Sequence, residues 1–263
     1  MRLLITLIAV LSVLPAQAAL DWNSALSGAQ RSDVNKQRDQ YRHPRETLEF
    51  FGLRENMTVV EISPGGGWYT EVLAPLVTAE GKLYAAHYAL NPPSPYYRRS
   101  LGKYLGKLAE NKDVYSEVVV TQLQPPMIAE TAPAGSADIV LTFRNVHNWV
   151  NAGNDAAMLA AAFKALKPGG ILGVVEHRAK PGTSLEVMKK SGYLTQDHVI
   201  ALAEAAGFKL ASSSEINANP KDTANHPKGV WSLPPGLRMG DENREHYIAI
   251  GESDRMTLKF FKP

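Results

Sequence analysis

The sequence predicts an α/β fold built on a mostly parallel sheet with helices on both faces, and three observations carry that prediction. From Thr58 onward, short runs rich in β-branched residues alternate with longer helical patterns, the rhythm of repeated strand–helix–strand units. Several runs are apolar at nearly every position, as strands covered on both faces are. The first of them leads directly through Pro64-Gly65-Gly66-Gly67 into a helical stretch, Glu71 to Leu76.

Taken in order, Arg2 precedes an apolar run, Leu3 to Leu14, which is followed by Pro15 and Ala16-Gln17-Ala18. Residues 1–18 therefore read as a secretory signal peptide, with the mature chain periplasmic or secreted. The run is shorter than the roughly 20 residues of a membrane-crossing helix, so no stable membrane anchor is expected. Residues 19–263 are predicted to form one domain, being enough for one sizeable core and short for two.

Within that domain, 19–57 is a helical lead-in. Pro44 suits a helix start, and Glu46 to Phe51 ends at Gly52. Strands are predicted at Thr58 to Ser63, Lys82 to Tyr88, Tyr115 to Gln122, Ala137 to Arg144, Gly170 to His177 and Lys209 to Ile216. Between them, Asp155 to Leu166 is an alanine-rich helix with Met158, Leu159 and Phe163 inward, ended by Lys167-Pro168-Gly169-Gly170. Thr195 caps a helix carrying Val199, Ile200, Leu202, Ala203 and Ala206 on one face, and Gly207 stops it. Residues 217–245 are rich in Asn, Pro, Gly and charge without a period, and read as a long loop insertion. Tyr247 to Ile250 and Met256 to Phe261 read as short strands, the second antiparallel by its alternation.

Composition excludes several functions. Lys and Arg number 28 against 26 Asp and Glu, with no basic block among aromatics, so nucleic acid is not an expected partner. The absence of cysteine rules out disulfides, thiolate zinc sites and a cysteine nucleophile. The seven histidines are scattered with no HExxH pair, so no dedicated metal site is expected. No GxSxG elbow is present, which argues against a serine hydrolase.

The most informative stretch is Glu61-Ile62-Ser63-Pro64-Gly65-Gly66-Gly67-Trp68-Tyr69-Thr70. Glycines there leave backbone bare for a ligand, and the helix N-terminus beyond them offers free N–H groups to a polar or anionic one. A plain tight turn needing positive φ is the alternative. The dinucleotide pattern fails twice, because Thr70 stands at its third glycine and His87, rather than an acid, ends the next strand. Trp68 and Tyr69 either stack on a ligand or pack into the core.

These residues resemble the class I S-adenosylmethionine-dependent methyltransferases, in particular an exported branch of predicted methyltransferases. The resemblance lies in EISPGGGWYT, ADIVLTFRNVHNW, ALKPGGILGVVEHR and the ending SDRMTLKFFKP, and covers nearly all of the mature chain. It implies a Rossmann-like, seven-stranded sheet whose last strand is antiparallel. It also implies S-adenosylmethionine as cofactor, lying across the strand ends beside Glu61, Ser63, Gly65, Gly66, Gly67, Trp68, His87, Arg144 and Asn145. Glu61 would steady the turn, Gly65 and Gly67 would face the methionine part, and His87 would sit near the ribose.

The implied activity is in-line methyl transfer to a small or lipid-like acceptor, with a non-catalytic periplasmic binding protein of the same fold as the alternative. Positioning and exclusion of water supply most of the catalysis in such a displacement. A hydroxyl acceptor also needs a base, for which His147 and the pair Glu176 and His177 are placed at strand ends. The competing roles are packing of His147 beside Trp149, and an ion pair of Glu176 with Arg178 or Arg144.

Overall fold

The computed structural model describes residues 20–77, 81–92 and 94–263; the leader predicted over residues 1–18 lies outside them. The lead-in folds as four helices, α1 (Trp22–Ser27), α2 (Asp33–Lys36), α3 (Asp39–Arg42) and α4 (Pro44–Phe51). Asp21 and Ser32 cap the first two through their side chains, and Gly52, at φ 85°, ends the fourth.

Then follow β1 (Thr58–Ile62), α5 (Thr70–Val77), β2 (Lys82–His87), α6 (Pro95–Glu110), α7 (Lys112–Tyr115), β3 (Val118–Gln124) and β4 (Ile128–Ala129). The chain continues through β5 (Ala137–Phe143), α8 (Val146–Ala152), α9 (Asp155–Ala165), β6 (Leu166–His177), α10 (Leu185–Ser191), α11 (Gln196–Ala205) and β7 (Lys209–Ser214). A short 3-10 turn (Gly229–Ser232), α12 (Arg244–Ile250) and β8 (Arg255–Phe261) complete it.

The eight strands form one mixed sheet in the order β4, β3, β2, β1, β5, β6, β8, β7. Pairing is parallel from β3 across to β6, while β4 runs antiparallel to β3 and β8 antiparallel to both its neighbours. The count exceeds the expected seven because the tail after Gln124 folds back as the two-residue β4. The last strand is antiparallel as expected, but it is inserted inside the sheet and leaves the largely exposed β7 at the edge.

The apolar strands are covered on both faces. Val60, Ile62, Val140, Leu172 and Val174 point into one core with α8, α9 and α11, whereas Val59, Leu83, Ile139, Leu141 and Val175 point into the other with α1, α4 and α5. Alternate residues of one strand thus feed opposite layers, which is why its sequence shows no polar side.

One predicted strand is a helix. Tyr247 to Ile250 lies within α12, where Tyr247 and Ile250, three apart, are its buried residues and pack on Leu233. That spacing meets a core only if the segment is helical. Two other boundaries move: β3 starts at Val118, because Tyr115 ends α7, and β6 starts earlier, at Leu166.

Candidate functional site

The carboxyl ends of β1, β5 and β6 open on a cleft of about 980 Å³. Ser63, Pro64, Gly65, Gly66 and Trp68 form one wall, and Tyr88, Ser94, Tyr97 and Ser100 line it on the α6 side. Arg144, Asn145, His147 and His177 come from the ends of β5 and β6, while Val230, Trp231 and Leu233 to Gly236 reach over from the 217–245 excursion. Open α/β sheets place ligands at this edge because consecutive loops diverge there and leave a crevice.

The turn after β1 is held from behind. Tyr88 N–H donates to His87 Nδ1 at 2.8 Å, so the proton sits on Nε2, which donates to the Gly65 carbonyl at 3.1 Å. His87 is fully buried and does not line the cleft, contrary to its expected place near the ribose. Burial lowers its pKa to about 4, against a smaller upward pull from the Gly65 carbonyl, and keeps the ring neutral.

Glu61 is also buried. Thr70 Oγ1 donates to its Oε2 at 2.6 Å, tying β1 to α5, so it braces the turn rather than touching a ligand. Burial raises the Glu61 carboxyl to about 7, against the downward pulls of the Thr70 hydroxyl and Arg144.

The glycines differ from one another. Gly65, at φ 60°, has nothing within 4 Å of where a Cβ would stand, so its bare face looks into open space. A Cβ on Gly67 would instead meet Lys107 Cδ at 3.0 Å and Tyr104 Cε2 at 3.2 Å. Gly67 therefore fits the turn against α6 and does not face the cleft, contrary to the place beside the methionine part that the resemblance implies. Trp68 packs into the core, buried with its indole N–H bonded to the Asn35 carbonyl, and its ring edges the cleft beneath Arg42. Tyr69 belongs to the core, stacked on Phe143 at 3.4 Å.

The ends of β5 and β6 bring the three proposed proton-transfer residues together. His147 Nδ1 lies 2.9 Å from Glu176 Oε1, the His147 backbone N–H donates to Oε2 at 3.2 Å, and the His177 N–H donates to Oε1 at 2.8 Å. A carboxylate receiving these donors puts the His147 proton on Nδ1 and leaves Nε2 as the free acceptor in the cleft. Glu176 is thus the orienting partner of His147; Arg178 pairs with Glu215 and Asp254 instead.

His177 Nδ1 contacts Ser253 Oγ at 2.6 Å, and burial, then His147 and Arg144, hold its pKa well below the usual value. The sequence predicts no metal site, yet the ligand atoms of His147, Glu176 and His177 all lie within 4.8 Å of one another, a group that could hold a cation.

Of the opposite wall the sequence predicts only Arg144. Arg38 Nε lies 2.7 Å, Arg42 Nε 3.0 Å and Arg255 Nη1 3.1 Å from the buried Glu252 carboxylate. Burial alone would raise the Glu252 carboxyl, but Arg42, Arg255, Arg144 and Arg38 outweigh it and hold the pKa at about 2. The one readable signal was the recurrence of arginine at 31, 38, 42 and 45, close to helical spacing, in a segment that has few apolar residues.

Asn145, predicted to border the cofactor, stitches the two walls together. Its side-chain amide donates to the Ile62 carbonyl at 3.1 Å and the Ser63 carbonyl at 3.3 Å. Arg144 takes φ 60° and Ser63 φ 52°, backbone that residues with a Cβ rarely adopt.

No family model and no curated protein matches the chain. Among solved structures it is similar to an S-adenosylmethionine-dependent methyltransferase from Aquifex aeolicus, at TM-score 0.54 and 20% identity, over 68% of this chain and 87% of that one. It is similar to one from Mesorhizobium loti at TM-score 0.51 and 12% identity, over 90% and 100%. The chain has the methyltransferase fold. The cyclase SpnF has it too, at TM-score 0.61 and 15% identity over 89% of this chain and 85% of that one, so the methyltransferase fold is shared by proteins named for different chemistry.

Proposed function

We propose that this chain transfers a methyl group from S-adenosylmethionine to a small-molecule acceptor. The observation that carries the proposal is the open face of Gly65, at φ 60° with nothing within 4 Å of a Cβ position, at the strand end where the methyltransferase fold has its crevice. A cleft of about 980 Å³ is large enough for two small molecules side by side.

When bound, the cofactor supplies an electrophilic methyl carbon. The backbone of Ser63 to Gly66 would hold its methionine part, and the Tyr88–Tyr97 pair, 4.3 Å between ring centres, would flank its purine. His147 Nε2, oriented through Nδ1 by Glu176, would take a proton from a hydroxyl acceptor. We also propose that the predicted leader directs export.

Calorimetric titration with S-adenosylhomocysteine tests the cofactor reading. Saturable binding is expected, and no saturation at millimolar ligand defeats it. Gly65→Val should weaken that binding by about tenfold or more, since a Cβ enters both the ligand space and a backbone region costing an L-residue about 1–2 kcal/mol. Unchanged affinity in a folded variant would place the ligand elsewhere.

A further inference from the structure

We propose that the acceptor carries an oxyanion, a carboxylate or a phosphate, whose charge Arg144 takes beside His147. Naming that anion the acceptor rests on the methyl-transfer reading; the anion site itself rests on the charges described below.

Four arginines line the cleft, Arg38, Arg42, Arg144 and Arg238, against the single carboxylate of Glu252. Glu252 is already engaged by Arg38, Arg42 and, from beneath, Arg255. The Arg144 side chain makes no hydrogen bond or ion pair among the described residues. Arg42, by contrast, is spent on Glu252 and on the Trp68 ring 4.6 Å away, which leaves Arg144 as the guanidinium open to a ligand. Arg144 is half-buried at the cleft with its donors unspent, and a ligand anion can complete their bonding.

The strained backbone points the same way. Arg144 and Ser63 hold positive φ on adjacent strand ends, joined by Asn145, and such outliers persist where the surrounding structure enforces them at a working site.

The cofactor does not supply the missing charge. S-adenosylmethionine carries one carboxylate against an ammonium and a sulfonium, so its arrival adds to the positive surplus. His147 and His177 carry no negative charge to offset it. An oxyanion does, and the guanidinium fork matches it with paired donors. In the reaction, an acceptor oxygen forms the new C–O bond as the C–S bond breaks with its electron pair passing to sulfur. Where that oxygen begins as a hydroxyl, its proton goes to His147 Nε2.

Benzoate, inorganic phosphate, neutral benzamide and cationic benzylamine, each titrated against the protein saturated with S-adenosylhomocysteine, test this through the fluorescence of Trp68 and Trp231. Benzoate or phosphate should bind saturably, and the one that binds identifies the oxyanion class, while benzamide and benzylamine should not. Arg144→Gln, measured with S-adenosylhomocysteine at saturation for each protein, should weaken the anion by about tenfold or more, the loss of a charge-assisted hydrogen bond. Arg144→Lys should restore part of it.

Benzamide binding as well as benzoate overturns the proposal, and needs no variant. So does anion binding that Arg144→Gln leaves unchanged in a folded protein. If S-adenosylhomocysteine fails to bind while benzoate still binds through Arg144, the methyl-transfer reading falls and the anion site stands.

Discussion

Ser63 to Trp68 make one wall of the cleft from a single run of backbone, whereas the facing wall takes Arg38 and Arg42 from the lead-in, Arg144 from the end of β5 and Glu252 from the approach to β8. The first wall is uncharged at its surface and braced by two buried titratable groups, His87 and Glu61, that it hides from the cleft. The second carries its charges, buried or half-buried, and neutralises them incompletely. A wall made of backbone needs only local sequence and rigid support, while a wall made of charge needs partners gathered from across the chain, and its stability depends on their staying paired.

Removing the shared partner of the arginine wall should have the largest effect. Glu252→Gln leaves Arg42 and Arg255 buried without their counter-ion, and is expected to cost about 3–5 kcal/mol in urea unfolding. In the native protein this carboxyl stays ionised down to about pH 2, whereas an ordinary one protonates near 4.5. Its contribution is therefore present above pH 4.5 and lost as the pH falls toward 2. A cost under about 1 kcal/mol, the range of exposed pairs, would mean that water reaches the cluster freely.

The glycine wall should respond in a different pH window. His87 stays neutral in the native state down to about pH 4, while in the unfolded chain it takes up a proton near 6.5, so its contribution is lost between those values. Glu61 has the opposite sign. Its native carboxyl protonates near 7 against an ordinary 4.5, so it favours the native state as the pH falls. The two nearly cancel, and His87→Gln should unmask Glu61. Relative to the wild type, the variant should gain about 3 kcal/mol in unfolding free energy between pH 6.5 and 4. Parallel pH profiles for the two proteins would show that His87 titrates normally.

An exposed pair provides the smallest effect and the scale for the others. Arg45 and Glu49, 2.9 Å apart on α4 and both about half exposed, should lose no more than about 0.5 kcal/mol on Glu49→Gln. If this change rivals Glu252→Gln, burial is not what separates the two walls.

Local chemistry made much of the architecture readable. The side chains of Thr195 and the residues around it already hold what a helix start needs, and Thr195 Oγ1 accepts from His198 N–H as the spacing predicts. Gly52 and Gly207 stop helices at positive φ. The strand-to-turn run at Ser63 was legible for the same reason, because its neighbours in sequence are its neighbours in space. Tyr247 to Ile250 was misread because four residues satisfy either period, and burial against Leu233 decided between them.

What a linear pattern carried about this protein was its rhythm: apolar strands, capped helices, and a glycine turn where a strand meets a helix. Assembly of the chain supplied the rest. Inserting β8 between β6 and β7 sets Glu252 beside Arg38, 214 positions upstream, and Ser253 beside His177, 76 positions upstream, and that contact creates both the arginine cluster and the Ser253–His177 pair. Likewise, folding alone determined that Gly65 opens on the cleft while Gly67 meets Tyr104. Capping and periodicity act over a few residues and leave a trace in composition. Charge pairing across the chain depends on distance in space, which no short run of residues encodes.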